Sequence, residues 1–105
     1  MVINGVWWDI CFVSQHSKKL IRSDGSYSVG VTDSTEQTIY ISDMLQGAFL
    51  RKVICHEIVH AYIFSNGIYI PLEEEERIAD FVASYGGEIL DITETVLTEI
   101  RRSYA

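Results

Sequence analysis

The sequence predicts an α+β fold in one domain spanning residues 1–105: a small antiparallel sheet of about three strands, then three helices, the first of them central. Three observations carry this. Apolar residues alternate with period two up to about residue 43 and follow a helical period beyond it. The stretch 53–64 is apolar nearly all round, as in a helix enclosed within a domain. A chain of 105 residues suits a single core.

Taken in order, Val6, Trp8, Ile10 and Phe12 alternate with Trp7, Asp9, Cys11 and Val13, which predicts a first strand with Trp8 in the core. Residues 15–26 are polar and end in Asp24-Gly25, a loop or wide hairpin connection that carries His16 as a surface residue. A second strand covers 27–32. A short turn at 33–36 leads to a third strand, 38–42, with Ile39 and Ile41 facing the core, so these two strands form an antiparallel hairpin. Ser42 or Asp43 can cap a helix over about 44–66, stopped at Gly67. Pro71 and the run Glu73, Glu74, Glu75, Glu76 mark a second helix start, where proline fits the first turn and carboxylates complement the helix dipole. Its apolar stripe is Ile78, Val82, Tyr85 and Ile89. Gly86-Gly87 weakens its end, and a last helix over 93–103 turns Ile92, Val96, Leu97 and Ile100 inward.

The net charge of −7 lies entirely in residues 54–105, which carry ten acids and three bases. This excludes an ordinary nucleic-acid binder, because phosphates require a basic surface. No apolar run reaches the ~18 residues of a membrane span, so no membrane partner is expected. The beginning of the sequence lacks a basic segment followed by a long apolar one. With only Cys11 and Cys55, both in apolar runs and read as buried thiols, a reduced cytoplasmic setting is expected.

Within 53–64 the only polar side chains besides the Tyr62 hydroxyl are His56, Glu57 and His60. Burying them without partners would be costly. Spacing i, i+4 sets the two imidazoles on one helix face, where both can reach one zinc ion at ~2.0–2.1 Å. Glu57, beside that face, can take a proton from a water held there. Two core histidines with satisfied hydrogen bonds and a surface glutamate are the alternative. A chance match to this spacing in a chain of such length is on the order of 0.3%.

A catalytic zinc needs a third protein ligand. The third histidine, His16, is far upstream and position 66 is Asn66, so a carboxylate from the next helix is expected. Glu73 is followed four residues on by Arg77, Glu74 by Ile78 and Glu75 by Ala79. Glu76 alone is followed by an acid, Asp80, able to orient a ligand histidine through its second ring nitrogen. Ala83 and Gly87 near the Glu76–Asp80 line would let the helices approach closely. Glu73, one turn earlier, is the rival; Glu74 and Glu75 are rotated away.

His56-Glu57-Ile58-Val59-His60 followed by Glu76-x-x-x-Asp80 resembles the gluzincin class of zinc metallopeptidases, in particular the compact minigluzincins. The stretch 76–83 is similar to the ligand helix of ImmA/IrrE-like peptidases. The resemblance implies a zincin-like fold with a central motif helix and one zinc per chain on His56, His60 and Glu76. It implies Glu57 as the base and Asp80 as the partner of a ligand histidine. It further implies a peptide or protein substrate beside an edge strand, expected here at 38–42, and an oxyanion-supporting side chain for which Tyr40, Tyr69 and Tyr85 are candidates. The expected function is a small zinc-dependent metallopeptidase. The alternative is a latent or non-catalytic module that keeps the fold, with or without the metal, and does not turn over peptides; a structural zinc site is a lesser variant. The oligomeric state is not legible in the residues.

Overall fold

The computed structural model describes residues 1–104 and is α+β. The expected three strands and three helices are replaced by five strands in two sheets and two helices. The first strand divides at Trp8. Asn4 and Gly5, at φ 47° and 79°, form the two-residue turn of a hairpin between β1 (Val2–Ile3) and β2 (Val6–Trp7), a conformation that Asn-Gly adopts with little strain. β3 (Asp9–Val13) then enters a second sheet.

That sheet is mixed, which corrects the antiparallel expectation. Its order is β3-β5-β4, with β4 (Gly30–Asp33) antiparallel and β3 parallel to the middle strand β5 (Thr38–Ser42). The tight turn at 34–37, where Asp33 Oδ1 accepts from the Thr35 and Glu36 amides at 2.9 and 3.0 Å, gives β4 one edge of β5. β3 takes the other edge. Residues 14–29 are long enough to carry the chain across in the parallel sense, pinned by fully buried Leu20 on a short 3₁₀ turn. Both edges of β5 are therefore occupied, and the substrate edge expected at 38–42 does not exist. Cys11, on edge strand β3, is exposed rather than buried.

The core joins Ile3, Trp8, Ile39, Ile41, Val53 and Ala61 between the strands and α1 (Gly47–Ser65). Trp8 is 0% exposed, donates from Nε1 to Ser65 Oγ at 2.7 Å and meets the Phe64 ring edge-on at 5.8 Å. Trp8→Ala is expected to destabilise the fold by about 3–5 kcal/mol, the cost of emptying an aromatic core site, read as a lowered midpoint of urea denaturation.

α1 starts later than expected. Gln46 is its N-cap without a side-chain bond, while Ser42 Oγ accepts from the Met44 amide at 3.3 Å in the preceding turn. The motif helix is not enclosed at the centre of the molecule: sheet lies on one side, α2 on another, and Tyr62 faces outward. α2 (Leu72–Ser103) runs without interruption through Gly86-Gly87, so the expected third helix is its last part. Two glycines cost about 1 kcal/mol each against alanine, too little to break a helix of 32 residues. Ala79 is buried at the contact with α1. A Cβ at Gly87 would lie 3.5 Å from Arg51 Nη2, which places Gly87 opposite the first turns of α1. Beyond it every residue of α2 up to Ser103 is exposed. Ile92, Val96, Leu97 and Ile100, expected inward, are 56%, 48%, 38% and 47% exposed. No helix among the described residues is long and apolar enough to cross a membrane.

Candidate metal centre

Helical spacing stacks His56 and His60 one turn apart on the face of α1 towards α2, with their Nε2 atoms 3.2 Å from each other. α2 delivers Glu76 to both: Oε1 lies 2.8 Å from His60 Nε2 and Oε2 lies 3.3 Å from His56 Nε2. The outer ring nitrogens have carboxylates of their own. Asp80 Oδ1 is 2.9 Å from His56 Nδ1, and Glu75 Oε2 is 3.2 Å from His60 Nδ1. With these carboxylates accepting from Nδ1–H, the Nε2 atoms are the ring nitrogens placed to face a metal ion.

The consequence is chemical. Two imidazole nitrogens and a carboxylate converge on one point, an arrangement that a bound cation would stabilise. Donor atoms around a tetrahedral ion at ~2.0–2.1 Å are spaced roughly 3.3 Å apart, close to the separations found here. The residues present therefore fit a metal ion. His56, Glu57 and His60 also bring ligand-type atoms within 4.8 Å of one another and could themselves hold a metal ion. Glu76, at 2.8 and 3.3 Å from the two Nε2 atoms, can serve as a third donor with Glu57 beside the pair.

Glu57 is 6% exposed and lies under β4. Burial pushes its carboxyl above the ordinary carboxylate range; His60 and His56 oppose this, Glu76 adds to it and Arg22 opposes it. Thr32 Oγ1 donates to the Glu57 carbonyl at 3.0 Å and ties β4 to α1. Gly30 makes the approach possible, since a Cβ there would stand 2.9 Å from Val53 Cγ1 and 3.0 Å from Glu57 Cγ. The site opens into a cleft of about 650 Å³ whose walls include Gly30, Val31 and Thr32 of β4, with Arg22 and Lys52 as its basic side chains.

The structure thus brings His56, Glu57, His60, Glu76 and Asp80 together. Glu73 is turned away and pairs with Arg77 at 2.9 Å. Tyr40, Tyr69 and Tyr85 do not line the cleft; the Tyr40 hydroxyl is held by Glu36, and Tyr69 is exposed. His16 is exposed in its loop.

Sequence reasoning missed Glu75. The two adjacent glutamates straddle the line of contact with α1. Ala79 sits between their directions, about 40° from Glu75 and 60° from Glu76, so one carboxylate reaches an outer nitrogen and the other the inner pair. A signal was present in that buried small residue, which marks the line along which the helices touch.

No protein-family model, curated protein or solved structure matches the chain.

Proposed function

We propose that this chain is a zinc-dependent peptidase of the gluzincin type, holding one zinc ion on His56, His60 and Glu76. The convergence of three lone-pair donors beside the buried carboxylate of Glu57 carries the reading. Bound zinc lowers the pKa of a water towards ~7 and polarises a carbonyl. Glu57 takes the proton of the attacking water and passes it to the leaving amine. Asp80 and Glu75 hold the imidazoles in one tautomer and orientation.

The substrate is an extended peptide. β4 is an edge strand along the cleft, and a strand laid over the site would pair with its outward N–H and C=O groups, displacing the Ser28 hydroxyl that bonds those of Gly30. The unpaired thiols of Cys11 and Cys55 suit a reducing, cytoplasmic setting.

The test is zinc uptake with a peptide-cleavage screen. Metal analysis of zinc-supplied protein is expected to give one zinc per chain for the wild type and none for His60→Ala. A wild-type chain that takes up no zinc overturns the assignment. A chain that binds zinc and cleaves no peptide in the screen selects the non-catalytic module.

A further inference from the structure

α2 carries an apolar face, from Ile78 to beyond Gly87, that is largely exposed. Ile78, Val82, Tyr85, Ile89, Ile92 and Val96 follow one another at steps of four, three, four, three and four, the repeat of a helix seam that pairs with another helix. All are exposed except Val82, which forms one wall of an apolar groove. That groove, about 390 Å³, runs between α1 and α2 along the same stripe and is lined by Cys55, Val59, Tyr62, Ile63 and Ile68. The overhang is also a poor helix former in isolation. Ile89, Ile92, Thr93, Thr95, Val96 and Ile100 are β-branched, and a helix of such residues depends on packing.

We propose that α2 is the interface of an antiparallel homodimer in which the C-terminal half of each α2 lies in the groove between α1 and α2 of a second copy. The seam is self-complementary in one register. Ile78 meets Val96 of the second copy, Val82 meets its Ile92 and Tyr85 meets its Ile89, each pairing occurring twice as two-fold symmetry requires. The axis then passes near Gly87, whose own face is turned towards α1 and away from the seam. At the ends of the seam Glu74 meets Arg102 of the second copy.

Charge selects this direction. Glu74, at the acidic start of α2, is set against Arg102 of the second copy, whereas a parallel pair would set the acidic run against itself. Charge also disfavours a lipid surface, because Glu88 and Glu99 flank the stripe and repel anionic headgroups. The seam lies about 160° around α2 from Glu76 and Asp80, so both clefts stay open in the dimer. The proposal does not depend on the metal or on catalysis.

Sedimentation of the full chain tests it, with near-UV circular dichroism of the tryptophans to follow the core. The wild type is expected to sediment at twice the mass of the chain. Ile92→Lys is expected to sediment as a monomer with the tryptophan signal intact, and Thr98→Lys, on the opposite face, as a dimer. Arg102→Glu is expected to weaken the dimer about tenfold, through two symmetric repulsive contacts, and Glu74→Lys combined with Arg102→Glu to restore it. These charge variants decide the matter even if Ile92→Lys fails to fold. A wild type that stays monomeric up to ~100 µM overturns the proposal. If that monomer binds anionic vesicles, a lipid surface replaces the second copy. A dimer indifferent to Ile92→Lys overturns it as well, and single and double charge reversals that behave alike overturn the antiparallel register.

Discussion

Glu57→Gln is expected to slow peptide cleavage by about 10²–10⁴-fold while zinc stoichiometry stays at one per chain. The amide has nearly the shape of the carboxylate, so the packing of β4 over Glu57, made possible by Gly30 and fastened by Thr32, is retained. What is lost is the proton acceptor beside the histidine pair. Zinc content and tertiary signal are measured together with initial rates, which separates loss of the base from loss of the site. Cleavage within a few-fold of wild type would eliminate Glu57 as the base and leave the metal assignment standing.

Zinc affinity across the four consecutive glutamates should be sharply uneven. Glu76→Gln is expected to lose more than the ~10–100-fold typical of removing an outer hydrogen-bond partner, because it takes a charged donor from the inner triangle. Glu75→Gln and Asp80→Asn are expected within that ~10–100-fold range, each leaving one imidazole without its orienting carboxylate. The sequence alone suggested little change for Glu75. Its contact with His60 Nδ1 reverses that expectation. Glu73→Gln and Glu74→Gln should change affinity by less than ~3-fold, since Glu73 is exposed and paired with Arg77 and Glu74 is exposed. Competition with a chromogenic chelator reads all five variants on one scale. Loss of zinc in Glu73→Gln with retention in Glu76→Gln would place the third ligand one turn earlier and remove the role given to Asp80.

What the residues disclosed by themselves is what one helical turn encodes. His56 and His60 share a face because they are four apart, whatever packs on them. The same spacing joined Glu76 to Asp80 and Glu73 to Arg77, and period two marked Ile39 and Ile41 as inward. These are local relations, set by backbone geometry. The features that were misread depend on residues distant in sequence. Gly86-Gly87 suggested a break, yet their small propensity cost leaves α2 continuous, with its far half beyond the reach of α1. The direction of β3 depended on which edge of β5 the hairpin at 34–37 had already taken. Glu75 acquired its partner because α2 meets α1 along Ala79, between two neighbouring glutamates that a helical wheel sends 100° apart. The spacing of donors along each helix was determined by the sequence. Which carboxylates meet which nitrogen was decided by the crossing of two helices, a non-local packing choice that no single segment contains.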